Sequence, residues 1–196
     1  MSPNEERRLR AETFFLLSPA NLAGKRGALL LSGKGELARA LSSPSGAPLG
    51  EVFGFVSSLY FRGKAGYARA FGHAAGRESA LVMTAGGGLC SLDEPVTRAR
   101  LEGWQRVAVS ERNPHFTAPL VRQASELLDA SAADARFILL GSVASNKYVV
   151  PLLEVFGERL LYPARFAGLG DMSRGSLLLR AVRDGAELDY EVVRRV

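Results

Sequence analysis

Apolar positions along the chain fall into two patterns, short continuous runs and longer stretches with apolar residues three and four apart. The first suits strands buried on both faces, and the second suits helices that pack by one face. Four runs predict strands: residues 27–32 (Gly-Ala-Leu-Leu-Leu-Ser), Ala80–Thr84, Arg136–Leu140 and residues 159–162 (Arg-Leu-Leu-Tyr). Between the first two, a turn-rich loop at 42–48 leads into residues 49–71. There Val52, Phe53, Val56, Leu59, Tyr60, Tyr67 and Phe71 have helical spacing, with Gly63 and Gly66 as weak points and Gly72 as the stop. Leu120, Val121, Ala124, Leu127 and Leu128 mark one face of a helix over 116–128. A further helical stretch covers 176–183, residues 188–193 suit an edge strand, and Phe14 to Leu17 supply an additional piece of core. Strands alternating with helices predict an α/β fold, a three-layer α/β/α sandwich on a four-stranded, mainly parallel sheet, in one domain over 1–196.

Composition narrows the class. The 196 residues are 47% hydrophobic and 23% charged, enough apolar material for one full core. No run approaches the roughly 20 apolar residues of a membrane span, and the charged opening Ser2-Pro-Asn-Glu-Glu-Arg-Arg-Leu-Arg10 is followed by no long apolar stretch, so the expectation is a cytoplasmic protein. One cysteine, Cys90, rules out an internal disulfide, and with only His73 and His115 beside it no metal site is expected. No motif calls for a cofactor. The net charge of +5 favours anionic partners such as nucleotides or nucleic acid, although the basic residues are scattered, from Arg7, Arg8 and Arg10 to Arg194 and Arg195.

In open α/β sheets ligands gather beyond the carboxyl ends of the strands. Four segments meet that condition. Ser32-Gly-Lys-Gly35 lacks the spacing of a Walker loop; Ser32 and Lys34 are candidates to contact a phosphate, although such a lysine more often is a solvated residue at a strand end. Gly86, Gly87 and Gly88 allow close backbone approach, and Asp93 with Glu94 then offers carboxylates for general-base work, or a cap for the helix after Pro95. The run Phe137-Ile-Leu-Leu-Gly-Ser-Val-Ala144 reads as strand, turn and helix start. Ser142 or Ser145 is a candidate cap there, and Ser142 and Asn146 are candidate ligand contacts. In Gly170-Asp-Met-Ser-Arg-Gly175, Arg174 suits a phosphate or carboxylate, Ser173 a hydrogen bond, and Asp171 the polarising of a nucleophile, against an Asp–Arg pair that only stiffens the loop. Trp104 and Tyr148 are candidates to stack on a base, against the usual reading of isolated aromatics as core or boundary residues, and Cys90 reads as a packed hydrophobe.

The run from Phe137 to Ala144, a helix ending near Gly157, and then Leu160-Leu-Tyr-Pro163 before a polar loop resemble the C-terminal half of the uracil-DNA glycosylase superfamily, including its bacterial members without assigned activity. The resemblance covers about 50 residues. The catalytic motifs are not matched. Ser32-Gly-Lys-Gly35 stands where that superfamily has its water-activating aspartate loop, and Tyr162 precedes Pro163 where it has histidine. The resemblance implies binding of a nucleobase, nucleotide or nucleic acid in the strand-end crevice and N-glycosidic hydrolysis, with Asp93, Glu94, Asp171 and Arg174 as polar groups. The alternatives are a non-catalytic interaction protein and a small-molecule hydrolase unrelated to nucleic acid.

Overall fold

The computed structural model describes residues 11–194; the charged opening segment and Arg195 lie outside the described residues. In chain order the first half carries β1 (Thr13–Leu17), α1 (Lys25–Leu31), α2 (Glu36–Ser42), β2 (Ala47–Pro48), α3 (Leu49–Val56), α4 (Ser58–Phe71), β3 (Ala80–Thr84) and β4 (Gly88–Ser91). The second half carries β5 (Pro95–Val96), α5 (Arg98–Gln105), α6 (Pro114–Asp129), β6 (Arg136–Leu140), α7 (Asn146–Phe156), β7 (Leu160–Pro163), α8 (Asp171–Asp184) and β8 (Tyr190–Val192).

The main sheet is mixed, six-stranded instead of four-stranded, in the order β4-β3-β1-β6-β7-β8. Its four inner strands run parallel, and β4 and β8 close the edges antiparallel. At its centre is β1, the segment expected only as extra core. All five of its residues are buried, and it pairs with β6 from Thr13↔Arg136 to Leu17↔Leu140. A strand buried on both faces has no alternation to betray it. Phe15, Leu17, Ile138, Leu140 and Val82 join one core with residues of α1 to α5 and α8, while Phe14, Leu16, Phe137, Leu139 and Met83 join another with α6 and α7.

Residues 27–32 are not a strand. They lie in α1 and its C-cap, where Leu30 is buried and Leu29 is half exposed. Gly27 is needed because a Cβ there would lie 1.9 Å from the Leu22 carbonyl oxygen. The helix expected over 49–71 is broken at Ser57 into α3 and α4. Inside α4, Gly63 is no weak point. A methyl on it would sit 2.9 Å from the Gly175 carbonyl oxygen, and one on Gly175 would sit 2.9 Å from the Tyr60 Cα, so this glycine pair lets α4 and α8 pack backbone to backbone. The strand β7 is shifted one residue later than expected, and α8 starts five residues earlier.

Candidate functional site

At the carboxyl ends of β1 and β3 lies a cavity of about 550 Å³. Pro19 to Ala23 form one side, and Phe53, Trp104 and Tyr148 supply aromatic walls. Lys147, Asn21 and Gln105 bring polar groups to the same space. The triple glycine builds this wall and does not itself line the cavity. Methyl groups on Gly86 and Gly87 would each lie 2.9 Å from the Trp104 indole, so the β3–β4 turn is glycine where the ring lies on it. Gly88 adopts φ +68 and faces Gln123, whose Oε1 accepts from the Leu89 amide. The Arg100 guanidinium stacks 4.9 Å above the indole and is held by Glu94 at 2.5 Å. Tyr148 comes from the start of α7, where Ser145 holds the N-cap position without a side-chain bond.

A second group of polar side chains lies beside the end of β1. Lys64 of α4 is only 2% exposed, and its ammonium donates to the Ser18 carbonyl at 2.5 Å and to Ser18 Oγ at 2.9 Å. The nitrogen sits 4.4 Å from the Tyr60 ring centre and 5.2 Å from that of Phe61. No salt bridge joins it to a carboxylate among the described residues. Burial therefore lowers its pKa to about 7, opposed by the negative charge of Asp171. The Tyr60 hydroxyl is buried with no hydrogen-bond partner among the described residues; burial raises it to about 12, against the pull of the Arg174 guanidinium. Arg174 is 9% exposed and gives Nε and Nη2 to the Phe166 carbonyl, with Asp171 at 3.8 Å.

The residues expected from sequence are thus divided. Asp171 and Arg174 converge with Lys64 and Tyr60 at the start of α8, while Ser173 is exposed beside them in a separate shallow cleft. Ser142 lies in the β6–α7 turn, and Asn146 is the first residue of α7. Ser32 caps the end of α1, bonding the Leu29 carbonyl, and Lys34 is exposed on the next loop, so neither stands at a strand end. Asp93 pairs with Arg69 at 2.6 Å beside another cleft, and Glu94 pairs with Arg100. Neither caps the helix after Pro95; Thr97 does, accepting from the Arg100 amide. Cys90 is buried and its thiol is raised to about 11, first by desolvation. Ser18 and Lys64 were not among the expected site residues.

Among the described residues no helix is long and apolar enough to cross a membrane. No family model matches the chain, and neither a curated protein nor a solved structure matches it.

Proposed function

We propose that the protein binds a nucleobase or nucleotide, free or at a nucleic-acid end, in the cavity at the ends of β1 and β3. The observation that carries this reading is the cavity lining itself, with Phe53, Trp104 and Tyr148 around one space and Lys147 at its edge. Aromatic faces stack on any base, and a base edge needs amide partners such as Asn21 and Gln105. Lys147 supplies a point charge for a phosphate. Helices on both faces of four parallel strands support reading the fold as a three-layer α/β/α sandwich. The β6–α7–β7 unit is the part that resembles the uracil-DNA glycosylase superfamily. Binding is favoured over N-glycosidic cleavage because that cleavage needs a carboxylate beside the base. No carboxylate is among the described residues lining the cavity, and Asp93, Glu94 and Asp171 each face an arginine elsewhere.

Trp104 is the only tryptophan of the chain, so its fluorescence reports the cavity directly. Titration with adenosine, guanosine, uridine and their monophosphates is expected to give saturable quenching with at least one base. Lys147→Ala should weaken a monophosphate about tenfold and leave its nucleoside nearly unchanged. Linear, unsaturable quenching by every compound up to millimolar concentration overturns the reading.

A further inference from the structure

We propose that Ser18 is a nucleophile activated by Lys64, which gives the protein a hydrolytic activity toward small carboxylic esters. The geometry is that of a hydroxyl held against an amine. Ser18 follows the central strand β1; its amide donates to the Leu140 carbonyl at 3.1 Å, its Oγ donates to the same oxygen at 3.3 Å, and that Oγ accepts from Lys64 Nζ at 2.9 Å. Gly141 closes the other side, since a methyl there would lie 3.2 Å from Ser18 Cβ and 3.3 Å from Oγ. The hydroxyl therefore has few orientations; once Lys64 is neutral, turning it from the Leu140 carbonyl toward Nζ aims its proton at the nitrogen lone pair.

Lys64 is suited to accept that proton. A buried lysine with no salt-bridged carboxylate among the described residues is expensive as a cation, and the rings of Tyr60 and Phe61 cover it, so burial outweighs the more distant charge of Asp171 and favours its neutral form. The bond to the Ser18 carbonyl holds the nitrogen in place in either protonation state. Ser18 itself is half-buried, and Pro19, next in the chain, lines the 550 Å³ cavity.

The reaction balances within these groups. Ser18 Oγ attacks the ester carbonyl and passes its proton to neutral Lys64; the bond from carbonyl carbon to alcohol oxygen breaks, and the leaving alcohol takes the proton from Lys64. Water then attacks the acyl-serine, gives a proton to Lys64, and the carboxylic acid departs as Ser18 recovers the proton. The site does not depend on the base-binding reading of the cavity.

The test is labelling of the full chain with a fluorophosphonate probe, located by peptide mass spectrometry, alongside hydrolysis of p-nitrophenyl acetate. The expected result is a single label on Ser18, with Ser18→Ala unlabelled. Lys64→Arg, which keeps a donor but cannot serve as base at these pH values, and Lys64→Met should each label at least about a hundredfold more slowly. The labelling rate of the native chain should rise with pH, reach half its maximum near 7 and level off by about 8.5. The groups facing Lys64 are Tyr60 on its own helix, Asp171 and Arg174 on α8 and Ser18 after β1, and none of them predicts that plateau if Lys64 is only a strut. No label on Ser18 of the folded native chain, or equal labelling rates in folded Lys64→Met, overturns the proposal. Should both Lys64 variants fail to fold, a native labelling rate that still climbs steeply between about pH 8.5 and 9.5 overturns it equally.

Discussion

Replacing Lys64 by methionine is expected to remove a rise in stability with pH between about pH 7 and 10.5. The amine titrates at about 7 when buried and at about 10.5 when free in water, because burial penalises its charged form. Between those pH values the unfolded chain holds a proton that the folded chain has released, so this residue makes the fold more stable as pH rises. Below about pH 7 both states are protonated and the burial penalty is at its full value; above about 10.5 it has vanished. The slope is about 1.4 kcal/mol per pH unit, and across the whole window the effect is at most roughly 5 kcal/mol.

Methionine fills a similar volume without the charge, at the cost of the two bonds to Ser18. Urea unfolding of both proteins at pH 7.5, 8.5 and 9.5 should therefore show native stability gaining on Lys64→Met by about 2–3 kcal/mol over that range. The comparison between variants matters because Cys90, raised to about 11 in the fold, works in the opposite direction above its ordinary value and is common to both. An offset that stays constant with pH would mean that Lys64 is charged in the fold throughout.

This lysine was legible in part. Tyr60, Phe61, Tyr67 and Ala68 are the buried stripe of α4, and Lys64 stands four and three residues after the first pair and three and four before the second. A lysine in the middle of an apolar stripe is the signal; its partner was not readable, since Ser18 lies 46 residues away. The β6–α7–β7 unit was readable because Gly141 and Gly157 punctuate it and its apolar runs have strand and helix lengths. The exchange of roles between β1 and α1 has one physical cause. Phe14 to Leu17 and Ala28 to Leu31 are both short apolar runs, and which one becomes the buried strand is decided by pairing with β3 and β6, not by local pattern. Asp93 and Glu94 looked available for catalysis because nothing local claims them. Arg69 is 24 residues away in the chain, and Arg100 comes round only because α5 turns back over the β3–β4 hairpin.

Phe137→Ala is the substitution expected to cost most in the second core. The ring is fully buried on β6 and stacked 4.0 Å from Phe156 at 20°, with Phe14 of β1 stacked at 5.5 Å and 12° on its other contact. Truncation removes a ring that touches both the central strand and α7, and neither neighbour can collapse into the gap without moving a strand or a helix. A loss of about 3–5 kcal/mol follows, set against the roughly 5–15 kcal/mol that holds a typical domain. The thermal midpoint should fall by roughly 6–20 °C in a chain of this size. The damage reaches the cavity through α7, since Lys147 and Tyr148 at its start line the space that Trp104 walls. Below the lowered midpoint, quenching of Trp104 by the best nucleoside should accordingly require several times more ligand than in the native chain. A midpoint unchanged within about 2 °C would show that Phe14 and Phe156 close on each other without the middle ring, and would remove the mechanical link between β6 and the wall of the cavity.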